Sequence, residues 1–355
     1  MSNIKVSTFF VSEKISKLRW LSEYLKESDS FLSGSYDMPN CFIRMWRLQK
    51  NQHDDSYNEY VPKCTDKSRL RGDVTGMEMI TEDTVVVSCS DGKLTLFKIK
   101  RGFEEDTIQQ KAQTGLLHRT NINGNSAPCT GLSVCGNEIA SVGEDGRLNI
   151  VDSQNSLAIC RSIEADSCSL LCVLYSNPQE LLTANRMGII RMYDIRSPME
   201  PTAAFMASCE DDMRSNYVSS LAAHSSQSHI ILAGSEEGSI TVWDLRKPGN
   251  PASYLSAHNS PITEIRFHRS DPSTLLTAAE SGELWRWAQF SSSEADKLDN
   301  INPWLSGERT KNRIAVSCLI TDLRKSVNTF DSQNSKTICG GDTEALHLVE
   351  TFVQE

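Results

Sequence analysis

Seven short runs of alternating apolar and polar residues recur along this chain, and most of them end on an aromatic or β-branched residue. They are Cys41–Trp46, Gly92–Phe97, Gly146–Val151, Gly188–Tyr193, Gly238–Trp243, Gly282–Trp287 and Glu344–Val349, with closing residues 42 to 62 positions apart. Alternation with period two marks a half-buried strand. Five of the seven runs open on a glycine, which reaches the positive φ of a tight hairpin turn without a Cβ penalty. A unit repeated at this spacing buries its apolar faces only by stacking on copies of itself.

A second strand precedes each turn: Phe31–Ser35, Val85–Cys89, Ile139–Gly143, Leu181–Asn185, Ile231–Ser235, Leu275–Ala279 and Thr337–Gly341. Large apolar residues followed by small ones suit strands that converge on a narrow central channel. Further upstream lie first strands at Ile15–Trp20, Val74–Ile80, Val218–Ala223 and Ile262–Phe267, and an outer fourth strand is implied. The expected fold is therefore all-β: one seven-bladed propeller spanning residues 1–355.

A ring of sheets must be closed, because open strand edges are templates for aggregation. The segment Val6–Val11 has strand composition and no local partner. It is expected to form the outer strand of the last blade, burying Phe9 or Phe10, with the other strands drawn from Ile314–Ile320 and Thr337–Thr351, and both phenylalanines are assigned structural roles. Polar stretches near 50–72, 100–126, 197–216 and 289–312 exceed ordinary connections and read as insertions, the kind of loop that commonly carries function. In the last of them, Ile301-Asn-Pro-Trp304-Leu305 is an apolar island. Trp304 and Leu305 are the candidate partner-binding residues, since tryptophan is enriched at interface hot spots. The competing reading is that the island packs back onto its own propeller.

Composition narrows the function. A formal net charge of -10 opposes a surface that attracts nucleic acid, which needs clustered Lys and Arg. The eleven cysteines are scattered without a Cys-x-x-Cys, so neither a zinc site nor a disulfide framework is expected. No leader-like apolar core follows Met1 and no apolar run is long enough to span a bilayer, so cytosol or nucleus is expected. No phosphate-binding glycine loop, His-Glu-x-x-His helix or nucleophile elbow is present, and neither an enzyme nor a cofactor or small-molecule site is expected.

The repeat resembles the WD40 family. Val242-Trp243-Asp244-Leu245-Arg246 carries the Trp-Asp dipeptide and Met192-Tyr193-Asp194-Ile195-Arg196 an aromatic variant of it. Blades of that family often join a His, a Ser or Thr, an Asp and the Trp in one hydrogen-bonded set. His258, Thr277 and Trp287 suit such a set in the sixth blade, but Ser281 stands where the Asp belongs. Asp91 and Asp145 occupy that place beside Phe97 and Val151. Trp46, Trp243, Asp244, His258 and Trp287 are accordingly assigned structural roles.

Over its whole length the chain is similar to the small WD40 nucleoporins of the Y-shaped scaffold complex of the nuclear pore. The resemblance rests on the segments 10–20, Ser126-Ala-Pro-Cys-Thr-Gly131, 143–149, Ser326-Val-Asn-Thr-Phe330 and 339–345, with the Lys14-Ile-Ser-x-x-Arg-Trp20 pattern the most specific. It implies a non-catalytic subunit at the nuclear envelope rim, docked on an α-solenoid nucleoporin of the short arm, that also travels to kinetochores in mitosis. An alternative is a substrate-receptor propeller of a cullin-RING ubiquitin ligase, suggested by Trp243-Asp-Leu-Arg246 with Tyr193-Asp-Ile-Arg196 in the preceding blade.

Overall fold

The computed structural model describes residues 3–23, 28–50, 60–102, 105–120, 123–198, 200–207, 217–289, 302–321 and 323–352. Parts of all four polar stretches, including Ile301, lie outside them. The described residues form seven four-stranded antiparallel sheets. In six of these the strands follow one another in chain order from the channel outward, as in blade 1: Ile15–Trp20, Ser30–Ser35, Cys41–Lys50 and Tyr60–Leu70. The seventh sheet, blade 7, runs outward through Val327–Gln333, Lys336–Gly341 and Ala345–Phe352 to the N-terminal strand Asn3–Phe10. That strand pairs in unbroken register from Asn3 with Phe352 to Phe10 with Ala345.

Apolar residues collect into seven clusters, one at each junction between neighbouring blades. The small residues of the second strands make this packing possible. A Cβ on Gly34 would stand 2.5 Å from Val74 Cγ1 of the next blade. The hairpin glycines take the positive φ their turns require, as at Gly238 with φ 84°. In blade 7 the same place holds Glu344 with φ 54°, a left-handed backbone that a side-chain-bearing residue adopts at a cost.

Three expectations need correction. Ile314–Ile320 is the outer strand of blade 6, paired with Leu284–Gln289, and the last blade takes Val327–Gln333 instead. Phe9 and Phe10 do not act together, since neighbouring residues on a strand point to opposite faces. Phe9 packs with Ile15, Trp20, Ile338 and Leu348, whereas Phe10 is 81% exposed. The polar stretches are also not insertions throughout: 50–72 contains the outer strand Tyr60–Leu70, 100–126 contains Thr107–Gln113, and 197–216 contains Pro201–Met206. Thr107–Gln113 and Pro201–Met206 are largely exposed and Tyr60–Leu70 is mostly half-buried or exposed, so all three lack the apolar alternation that reveals the inner strands.

Candidate interaction surfaces and the network behind them

An inner strand borders the channel and has no further strand to satisfy its outward backbone groups. Here polar side chains of the preceding blade accept those N–H groups. Leu18 N donates to Thr329 Oγ1 at 3.1 Å and Trp20 N to Asp331 Oδ2 at 2.7 Å. Phe330 N donates to Glu264 Oε2 at 3.1 Å, Ile265 N to Ser220 Oγ at 3.0 Å and Tyr175 N to Ser133 Oγ at 3.0 Å. Buried backbone donors left unpaired are expensive, so these latches fix blade 7 against blades 6 and 1, blade 5 against blade 6 and blade 3 against blade 4.

Around the channel an ionic cluster, with Arg19 and Glu264 buried at its centre and Glu78 and Arg266 partly exposed, joins blades 1, 2 and 6. The Arg19 guanidinium donates to Glu78 at 2.9 Å and to Glu264 at 2.8 Å, and Arg266 reaches both carboxylates. Burial alone would raise the Glu264 carboxyl, but Arg19, Lys17 and Arg266 hold it well below its ordinary range. Burial pushes the Lys17 ammonium down, with Glu264 only partly offsetting it. Removing one partner would leave a charge buried and unpaired.

The set of blade 6, expected to lack its acid because of Ser281, is completed by a different one. His258 Nε2 lies 2.8 Å from Thr277 Oγ1, and Trp287 Nε1 donates to the same hydroxyl at 3.0 Å. The other ring nitrogen, Nδ1, sits 3.1 Å from Glu283 Oε2. Each group uses one proton in one direction: indole N–H to Thr277, the Thr277 hydroxyl to Nε2, and Nδ1–H to Glu283. The acid is two residues beyond Ser281, and the longer Glu side chain makes up the distance.

Blade 3 carries a second such set that its sequence concealed. His118 pairs with Asp145 at 2.9 Å and Ser141 at 3.1 Å, while Val151 stands in the tryptophan's place. With no closing tryptophan to mark it, His118 gave no signal of its own. Burial, the largest single influence, would lower its pKa, but the hydrogen bonds and charges of Asp145 and Cys129 together outweigh it and lift the value to about 9.

The other structural assignments sit in the core. Trp46 is buried and donates from Nε1 to Ser33 at 2.8 Å. Trp243 is buried against Phe205, with ring centroids 4.4 Å apart. Burial pushes the Cys172 thiol up to about 12, far from a reactive thiolate. Among the described residues no group of three His, Cys, Asp or Glu side chains is placed to hold a metal ion, and no helix is long and apolar enough to cross a membrane.

Trp304 lies in a one-turn 3-10 helix, Pro303–Leu305, capped by Asn302. Its side chain is fully buried among Leu255, Ile262, Trp287 and Ile314, and its carbonyl accepts from Ser253 Oγ at 2.8 Å. Asn302 is tied in turn to His224 and Gln227, each at 3.2 Å. Of the two residues expected to meet a partner, Trp304 therefore offers no surface, and that expectation is corrected for its side chain. The indole anchors the stretch to its own propeller, and only the half-buried Leu305 beside it has area to present.

A family model described as the nucleolar protein 10-like N-terminal domain, a β-propeller, matches residues 104–298. Human nucleoporin Nup43 is 30% identical over 371 aligned residues, covering 96% of this chain and 97% of that protein. The chain belongs to the Nup43 family. Mouse Nup43 matches at 29% with the same coverage, and a Dictyostelium discoideum nuclear pore complex protein, nup43, at 28% over 42% of this chain and 35% of its own length. The match to human Nup43 takes in 96% of this chain, whereas the propeller-domain match ends at residue 298 and leaves out the closing strand and the last blade.

Within this Nup43-family propeller, the two Trp-Asp-x-Arg-like turns have a local explanation. Arg246 forks onto Asp244 at 2.8 and 2.6 Å, and Arg196 onto Asp194 at 3.0 and 2.7 Å. In both turns the Asp also accepts the Arg backbone N–H. The Arg196 hydrogen bonds hold the Asp194 carboxyl at about 2. Each tetrapeptide is a self-contained turn after the third strand of its blade.

Proposed function

We propose that this propeller is a non-catalytic scaffold subunit of the Y-shaped complex of the nuclear pore. It is held there by an α-solenoid subunit of the short arm, supports pore assembly and the transport of protein and mRNA, and follows the complex to kinetochores in mitosis. The chain is a nuclear pore protein by family. The observation that carries the reading is the end-to-end match to human nucleoporin Nup43. The polar groups of the blades support it, because His258, His118, Asp331 and Glu264 are each engaged in holding the ring together. Binding energy must then come from loops and blade edges, where an interface of roughly 1,600 Å² sustains stable assembly. Leu305, on the platform that buried Trp304 provides, is proposed as one contact.

The test is a tagged copy in dividing cells. It should mark the nuclear rim in interphase and recover Y-complex subunits in near-equal amounts. Leu305→Asp should reduce that recovery while Arg196→Ala with Arg246→Ala leaves it intact. Diffuse staining, with ubiquitin-ligase subunits recovered and pore subunits absent, would overturn the scaffold reading.

A further inference from the structure

Tyr60–Leu70 is the outermost strand of blade 1, so one of its edges has no neighbour in the sheet. Exposed side chains fall at alternate positions toward its end: Lys67 and Arg69, then Arg71 just beyond it, with Lys63 exposed further back. Lys63 is paired with Glu105 at 3.3 Å. Among the described residues the other three have no carboxylate partner; Lys67 lies over the Phe42 ring, 5.3 Å from its centroid.

Among the described residues the acids near this strand are already engaged. Glu13 is held by Arg44 and Asp37 by Lys14. Asp73 accepts from the Asp37 N–H at 2.9 Å and faces the Cys41 thiol at 3.1 Å. Asp66 accepts from the N–H groups of Ile108 and Lys67, each at 2.8 Å. In a chain of formal net charge -10, this strand is a local inversion of sign. A groove beside it is lined by Met38, Pro39, Cys41, Arg69, Arg71 and Asp73.

We propose that this edge receives an extended acidic segment of a partner protein, added to blade 1 as a fifth strand. The open edge supplies backbone hydrogen bonds, and the cations supply selectivity. Alternate residues of a strand stand roughly 6.5 Å apart. Lys67 and Arg69 therefore match carboxylates spaced at every second residue of the incoming strand, where opposite charges pair across the sheet, and Arg71, in the bend past the strand's end, adds a third positive charge beside them. Duplex nucleic acid is disfavoured by the net negative charge of the remaining surface. Charges on an edge strand also discourage self-association, a role that needs no ligand and no particular spacing. The proposal stands on this geometry alone and does not depend on the pore assignment.

The experiment is fluorescence anisotropy with a labelled peptide of alternating Glu and Thr, set against an isomer with all its Glu residues in one block and against labelled duplex DNA. The alternating peptide should bind the full chain, and more tightly than the block isomer, half of whose carboxylates face the wrong side. Lys67→Gln with Arg69→Gln and Arg71→Gln should weaken the alternating peptide by roughly tenfold or more while leaving the melting temperature unchanged. The proposal is overturned if the full chain does not bind the peptide, if the triple variant binds it equally well, if the two isomers are indistinguishable, or if DNA binds more tightly through the same three residues.

Discussion

Replacing Phe9 and Phe10 with Ala, one at a time, tests how the ring is closed. Asn3–Phe10 is the only strand of blade 7 contributed by the N-terminus, and its residues alternate between the core and solvent. Phe9 faces the cluster of Ile15, Trp20, Ile338, Leu346 and Leu348, whereas Phe10 is 81% exposed. Full burial of a phenylalanine contributes about 1.5–3 kcal/mol, and Phe9 is half-buried, so Phe9→Ala should cost about 1–2 kcal/mol. Phe10→Ala should fall within about 0.5 kcal/mol of wild type, the range of ordinary surface changes. Urea unfolding followed by tryptophan fluorescence measures both. Removing residues 1–12 should lower stability by more than either substitution and promote self-association, since it bares the edge of Ala345–Phe352. Equal losses for the two substitutions, or an unchanged midpoint in the truncated chain, would refute the register and the closure with it.

Three further outcomes are expected. Trp304→Ala should cost about 3–5 kcal/mol by opening a cavity between Leu255 and Trp287, whereas Trp304→Phe should cost far less because the buried indole N–H has no acceptor among the described residues; comparing the two urea midpoints decides it. Glu344→Gly should raise the unfolding free energy by about 0.5–1 kcal/mol by relieving a left-handed backbone, and a loss of stability would contradict that conformation. His118, with its pKa lifted to about 9, contributes stability that is fully present below the unfolded value of about 6.5 and is lost as pH rises toward 9; Asp145→Asn should flatten that stretch of the stability–pH profile, and an unchanged slope would refute the pairing.

Strands that touch a core on both faces were legible in the sequence, because burial imposes their composition. Val85–Cys89 and Gly238–Trp243 announce themselves by apolar content and a bounding glycine. Outer strands such as Ala158–Glu164, mostly exposed, carry no such constraint and pass for loop. Ile314–Ile320 misled in the opposite way: its apolar composition is that of a strand, but composition cannot say which sheet receives it. The polar sites followed the same division. Trp287 and His258 could be paired from a repeat pattern, and Glu283 was missed because a longer side chain does the same work from a different position. The Arg19, Glu78, Glu264 and Arg266 cluster could not be read at all, since only the closed ring brings together residues up to 247 positions apart.

The pairing of Asn3–Phe10 with Ala345–Phe352 also sets a schedule for synthesis. Of the described strands, the first to leave the ribosome is the last to find its partner, because all the other blades are made in between. At about 5–20 residues per second, roughly 20 to 70 s pass before Phe352 has been made. Throughout that interval Phe9 has no strand to lie on, and Ile4, Val6 and Phe10 share its unpaired segment. Until then the segment that finally locks the ring stays unpaired, and it is the one most in need of a chaperone's protection.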